Sequence, residues 1–229
     1  MYNNYNINAI AHIENDFTEK FGIPRQSGLV DNVISKIIFE PEYRVREAFR
    51  GIDSYSHLWL LWHFSKTEKQ KWNPTVRPPR LGGNIRMGVF ATRSPFRPNS
   101  IGLSSVKLIN VDLDSEYGPI LYVAGADILN GTPIIDIKPY LSYTDSHPEA
   151  VDGFALSTKE DILSVSIPQE LHSKIPEKYL DSIIALLAQD PRPQYQHSIE
   201  KNYAMRFGNV DVFFIVNENL LSVTDIKYI

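Results

Sequence analysis

The sequence predicts a mainly β protein, with an antiparallel sandwich or barrel over residues 1–150 and a small α+β domain over residues 151–229. Three observations carry that reading. Short runs rich in β-branched and aromatic residues recur along the first two thirds of the chain, Pro- and Gly-containing turns separate them, and the clearest helical periodicity comes late.

Residues 7–13 and 33–39 read as strands flanking a polar loop, 14–31, that contains Gly and Pro. Residues 42–49 follow Pro41 and carry Tyr43, Val45 and Phe49, with Gly51 placed to end a short helix. Residues 55–64 read as a buried strand. After a loop, 65–83, further strands fall at 85–91, 101–111, 120–128 and 133–137, divided by turns such as 93–99 and Asn130-Gly131. Regular spacing of this kind suits antiparallel sandwiches and barrels. In the tail, residues 176–189 set Leu180, Ile183, Ile184 and Leu187 on one helical face, with Pro176 near the start and Pro191 beyond the end. Strands at 163–167, 203–207, 210–216 and 220–226 flank that helix, the last two joined by Asn217-Glu218-Asn219.

The 229 residues, 43% hydrophobic, are enough to bury a full core without staples. Cysteine is absent, which excludes disulfides, thiolate metal sites and a cysteine nucleophile, and fits a cytoplasmic protein. Residues 1–8 are polar and lack a secretory pattern, and the longest apolar stretch, 58–64, is too short to cross a bilayer as a helix. No membrane partner is expected. The six histidines show no HExxH spacing, so no metal is expected, and GxSxG, GxxxxGK[ST] and GxGxxG are all missing.

The net charge of −4 and the isoelectric point near 5.9 argue against nonspecific coating of nucleic acid. The average hides a strong asymmetry. Between Glu68 and Asp112 there is no acidic residue, yet Lys69, Lys71, Arg77, Arg80, Arg86, Arg93, Arg97 and Lys107 all lie there. Arg93 and Arg97 sit in a loop stiffened by Pro95 and Pro98, so their guanidinium forks meet a carboxylate or phosphate at low entropic cost. The competing reading is a solvated basic loop.

A second constellation runs from Gly125 to Tyr140, where Asp136, Lys138 and Tyr140 alternate. On an extended strand these three project from one face between buried Ile135 and Ile137, a row able to bind a polar ligand or move a proton. An internally satisfied Asp136–Lys138 pair fits the periodicity equally well.

These two stretches, with Phe21-Gly22-Ile23-Pro24-Arg25-Gln26 and Asp190-Pro191-Arg192-Pro193-Gln194-Tyr195, closely resemble the TsaA-like family, in one order over nearly the whole chain. The resemblance implies a β-barrel enzyme that uses S-adenosylmethionine to methylate N6 of threonylcarbamoyladenosine, the modified purine next to the anticodon of tRNA. It further implies a cofactor held between barrel loops near a homodimer interface, with the C-terminal domain helping to hold the tRNA anticodon loop. By position within the matching motifs, Pro24, Arg25, Gln26, Ser65, Lys66, Arg93, Leu103, Ile128, Leu129, Asn130, Gly131 and Thr132 would line the cofactor site. The run Trp62-His63-Phe64-Ser65-Lys66 departs from the usual family residues, and Asn130 stands where relatives often carry aspartate.

Methyl transfer from a sulfonium is an in-line displacement that needs alignment and exclusion of water. The carbamoyl group makes the acceptor nitrogen more acidic, so modest base assistance suffices. Asp136 and Tyr140 are the candidates to accept or orient its proton, Lys138 to fix a carboxylate or phosphate, and Arg77, Arg80, Arg86 and Arg97, with Lys138, to meet RNA. Two rivals remain at this level: a noncatalytic RNA-binding module, and a methyltransferase acting on another RNA or a small molecule. Calorimetry with S-adenosylmethionine separates the first rival from the enzymes.

Overall fold

The structure, a computed structural model, describes residues 5–67, 72–78, 81, 84–157, 162–192 and 201–229. The first eight strands are β1 (Ala11–Glu14), β2 (Ile34–Phe39), β3 (His57–His63), β4 (Thr75–Val76), β5 (Met87–Gly88), β6 (Ile101–Asp112), β7 (Ile120–Ala124) and β8 (Pro133–Pro139). Six of them close an antiparallel barrel in the order β1-β2-β7-β6-β3-β8, while β4 and β5 pair by themselves.

The barrel interior follows from alternation along each strand. In β3, Leu58, Leu60 and Trp62 point inward, opposite Val106, Ser104 and Gly102 of β6. The last pairing needs glycine, because a Cβ at residue 102 would overlap the Trp62 indole. Ile13, Ile37, Leu121, Ile128 and Ile134 complete a core in which each side chain is fully buried, each contributing about 1.5–3 kcal/mol of transfer free energy.

Four predicted elements come out differently. The strand expected at 7–13 starts only at Ala11, as β1. The helix expected at 42–49 is two 3₁₀ turns, Pro41–Tyr43 and Arg46–Phe49, because only Phe49 among its apolar residues is buried, edge-on to Phe39 at 4.7 Å. The strand expected at 85–91 shrinks to β5 and a 3₁₀ turn, Val89–Ala91. Hydrogen bonds from Thr92 Oγ1 and Arg97 Nη1 to the Val89 carbonyl hold that turn. The strand expected at 120–128 ends at Ala124, since Gly125 takes φ +80° and its carbonyl accepts the Gly28 N–H at 2.9 Å.

Short helices α1 (Ser142–Asp145) and α2 (Phe154–Ser157) lead out of the barrel. There follow β9 (Ser164–Ser166), α3 (Gln169–His172), α4 (Glu177–Ala188), β10 (Tyr203–Phe207), β11 (Val210–Asn217) and β12 (Leu220–Tyr228). These strands form a four-stranded sheet in the order β10-β11-β12-β9, with β9 parallel to β12. Helix α4 buries Tyr179, Ile183, Leu186 and Leu187, while Ile184, expected on the same face, is exposed.

Beyond Glu14, which ends β1, the predicted polar loop 14–31 contains no strand, yet it is an apolar strap rather than a solvent loop. Phe17 and Val30, with Val33 just beyond, belong to the core beneath the C-terminal sheet. Phe17 packs edge-on to Phe207 at 5.6 Å, Tyr179 donates to the Asp16 carboxylate at 2.9 Å, and the Gly208 N–H donates to the Asp16 carbonyl at 2.9 Å. The β1–β2 connection is therefore shared between barrel and tail. Among the described residues no helix is long and apolar enough to cross a membrane, and no cluster of three His, Cys, Asp or Glu side chains could hold a metal ion.

Candidate cofactor and RNA site

Several of the singled-out residues converge where the strap passes the ends of β6 and β7. Arg93 Nη1 donates to Gln26 Oε1, joining the strap motif to the proline-stiffened loop. Next to them, the Ser27 hydroxyl accepts the Ser105 N–H at 3.2 Å, which ties the same motif to β6.

The anchor of this cluster is Asp127, which lies within the Gly125–Tyr140 constellation but outside its alternating row. Its carboxylate accepts the hydroxyl of the fully buried Ser104 at 2.5 Å, and the Trp62 indole N–H donates to that hydroxyl at 2.9 Å. Burial pushes the Asp127 carboxyl above its usual range, opposed by the Ser104 hydrogen bond, by neighbouring backbone N–H groups and by the charge of Arg93. A chain from the barrel interior to the exposed Arg93 results. The available sequence signal is a small hydroxyl, Ser104, between the inward-facing Gly102 and Val106 of β6.

Pro24 is buried, and Arg25 turns away from Gln26 to donate to the main-chain oxygens of Asp190 at 3.2 Å and Arg192 at 2.8 Å. Asp190 and Arg192 form a buried bidentate pair, with both N···O distances 2.8 Å. The two distant motifs, 21–26 and 190–195, are thus parts of one joint, of which residues 193–195 lie outside the described set.

The run from Ile128 to Thr132 is a turn with Gly131 at φ +75°. Ile128 is buried in the barrel and its carbonyl accepts from Asn15 Nδ2 at 2.9 Å; Thr132 Oγ1 donates to the Leu129 carbonyl at 2.6 Å. Asn130 is exposed, but its side-chain oxygen accepts the Asn15 N–H at 3.0 Å, so the amide braces the strap. At Gly131 a Cβ would meet nothing within 4 Å, which leaves open backbone there.

Ser65 and Lys66 lie in a 3₁₀ turn, Ser65–Thr67, directly after β3. Leu103 is 54% exposed on the outer barrel face, paired across to Leu61, and Leu61 pairs in turn with Asp136. Asp136, Leu61 and Leu103 therefore form one row over three strands.

Asp136 and Lys138 do share the outer face of β8, but as an ion pair at 2.7 Å, the simpler of the two sequence readings. Asp136 Oδ1 also accepts the Ile137 N–H at 2.9 Å. Tyr140 lies past the strand end, its ring 5.4 Å from Trp59 and 6.2 Å from His57. Ile135, expected to be buried, is only half-buried: the register shifts between Leu61 and Trp62, so Trp62 faces Ile134 and Ile135 is the extra residue of a bulge.

Of the proposed RNA contacts, Arg77 is exposed and Arg86 Nη1 donates to Thr75 Oγ1 at 3.0 Å. Arg97 Nη1 donates to the carbonyls of Val89 at 3.1 Å and Thr92 at 2.6 Å, so this guanidinium staples its own loop. Arg80, like Lys69 and Lys71, lies outside the described residues.

This architecture is shared with known proteins. The tRNA-methyltransferase O N-terminal domain matches residues 12–146, and the TrmO C-terminal domain matches residues 162–229. The tRNA (adenine(37)-N6)-methyltransferase of Escherichia coli (strain K12) is 41% identical over 93% of this chain and 94% of its own length. A Pseudomonas aeruginosa protein described as a putative S-adenosylmethionine-dependent methyltransferase RcsF is 36% identical over 97% of each chain. The crystal structure of TrmO from P. aeruginosa superposes with a TM-score of 0.80 at 30% identity, covering 100% of this chain and 99% of that one. With both domains matched in order over barrel and tail, the chain belongs to the tRNA-methyltransferase O family.

Proposed function

We infer that this protein is an S-adenosylmethionine-dependent tRNA methyltransferase that methylates N6 of the modified adenine beside the anticodon. The observation that carries the reading is the similarity over both domains to the E. coli tRNA (adenine(37)-N6)-methyltransferase. The acceptor we assign is threonylcarbamoyladenosine.

The donor set suits the cofactor. Arg93 offers an exposed guanidinium for an α-carboxylate, Gln26 a side-chain amide, Leu103 an exposed apolar surface for a flat purine, and Gly131 open backbone. With Ser65, Lys66 and the turn from Leu129 to Thr132, these residues would hold it, while Pro24, Arg25 and Ile128 fix the strap and the turn from below. When bound, S-adenosylmethionine supplies an electrophilic methyl group on a sulfonium. Asp127 holds the strap motif against β6 and so keeps Gln26 and Arg93 in place. Asp136, in the same row as Leu103, accepts the N6 proton as that nitrogen gains the methyl, whereas Tyr140 packs beside His57 and Trp59 at the other end of β3. Lys138, 2.7 Å from Asp136, balances its charge.

A second copy of the chain packs beside this face and leaves Leu103, Trp72 and Ile101 open to ligands, giving a homodimer, and the protein acts in the cytoplasm. Incubation of the purified protein with S-adenosylmethionine and tRNA, followed by mass spectrometry of anticodon-loop nucleosides, tests the assignment. A methyl group on N6 of threonylcarbamoyladenosine is expected; calorimetry without any cofactor binding overturns it. Light scattering showing a monomer at micromolar concentration overturns the dimer.

A further inference from the structure

A groove of about 550 Å³ runs beside the cofactor residues without including any of them. His63, Trp72, Arg97, Asn99, Ile101 and Ile135 are among its walls. His63 pairs with Ile101 across β3 and β6, two residues before the Leu61–Leu103 pair, so the groove opens one pleat from Leu103. The β8 bulge turns Ile135 into its wall, and the next residue is Asp136.

The chemistry of the walls is specific. Trp72 is half exposed and Ile101 37% exposed, a flat apolar surface of the kind on which a base stacks. Among the described residues no acidic side chain lines the groove, whereas Arg97 does, with its Nη1 held by the Val89 and Thr92 carbonyls and its guanidinium 5.7 Å from the Phe90 ring. Such a cation is held in place before any ligand arrives, and it is half-buried, unlike the exposed Arg77 that suits a backbone phosphate. An apolar wall beside a fixed cation, next to the residues expected to hold a methyl donor, selects a flat ring that carries an anionic arm.

We propose that this groove is the acceptor subsite: an adenine base lies against Trp72 and Ile101, and the carboxylate that ends its N6 arm is read by Arg97. The proposal rests on the methyltransferase reading. It makes Arg97 a determinant of which adenines are accepted rather than a general RNA contact, because an adenine without the arm leaves a fixed guanidinium in the groove with no anion to meet.

Steady-state kinetics at saturating S-adenosylmethionine, on anticodon stem-loops whose N6 arm ends in either a carboxylate or a carboxamide, tests it. The wild-type protein should lose about ten- to a hundredfold in kcat/KM on the carboxamide, the range for one charge-assisted contact. Arg97→Gln should lose a comparable factor on the carboxylate substrate and no longer distinguish the two ends. Trp72→Leu should raise KM for both stem-loops and leave the calorimetric Kd for S-adenosylmethionine unchanged. If Arg97→Gln keeps the wild-type preference, or Trp72→Leu keeps the wild-type KM, the subsite is overturned. Should Arg97→Gln fail to fold, as its loop-stapling contacts allow, Trp72→Leu decides alone. A wild-type protein that binds no S-adenosylmethionine overturns the methyltransferase reading instead, whereas one that methylates both stem-loops equally overturns only the groove.

Discussion

Arg25 donates to the main-chain oxygen of Arg192 at 2.8 Å, so a side chain from the cofactor motif is spent on the joint between barrel and tail. Its neighbour Gln26 faces Arg93 instead. Arg25→Ala should therefore act indirectly, lowering the melting temperature and raising the Kd for S-adenosylmethionine together. Hydrogen bonds to a charged group are worth about 1.5–3 kcal/mol, and Arg25→Lys, lacking the planar fork, should recover little. Calorimetry of melting and of binding on the same samples checks this; a raised Kd with an unchanged melting temperature would assign Arg25 to the ligand alone.

The same joint contains the Asp190–Arg192 pair, whose side chains are only 10% and 8% exposed. Breaking a buried pair by removing one partner leaves the other charge uncompensated, at a cost of about 3–5 kcal/mol. Asp190→Ala should therefore destabilise far more than Asp114→Ala, whose exposed partnership with Arg46 contributes about 0–1 kcal/mol. Urea denaturation of the two variants measures the contrast, and equal midpoints would show that the joint is not structural.

Asp127 and Asp211 should give stability opposite pH slopes. Burial raises the Asp127 carboxyl in the folded protein, so the fold favours its protonated form. That contribution is full below the ordinary carboxylate range and is lost as pH rises through the raised value. Asp211 is lowered, chiefly by its hydrogen bond from Arg206, so its contribution is full above the ordinary range and is lost as pH falls through the lowered value. Melting curves across the acid range should show Asp127→Asn gaining relative to wild type as pH rises, and Asp211→Asn losing. Parallel curves for either variant would rule out the corresponding linkage.

The barrel strands were legible because Leu58, Leu60 and Trp62 alternate with less buried neighbours, a period that sequence displays directly. The tail strands were legible for the same reason. The strap was not, since Phe17 and Val30 are isolated apolar residues in a polar stretch and acquire meaning only from a sheet nearly two hundred residues away in the chain. At the candidate site, motif order marked Gln26, Arg93 and Leu103, but no periodicity reveals that Ser104 points at Asp127 or that a bulge exposes Ile135. A bulge breaks the alternation on which strand reading depends.

The last prediction separates cations that meet RNA from cations already employed. Neither Arg77 nor Arg86 pairs with a carboxylate among the described residues, whereas Lys138 is bound to Asp136 at 2.7 Å. Each phosphate contact adds about 0.7–0.9 to the slope of log affinity against log salt. Arg77→Ala and Arg86→Ala should each reduce that slope for tRNA by nearly one unit, and Arg80→Ala should do the same if its segment follows the RNA backbone. Lys138→Ala should reduce it less, because a lysine already paired with Asp136 neutralises RNA phosphate only weakly. Cofactor affinity should hardly respond to salt in any of these variants. Filter binding of tRNA over a salt series, run beside thermal melts, decides the matter: an unchanged slope with a lowered melting temperature would mean that these arginines serve the fold or a subunit contact rather than the nucleic acid.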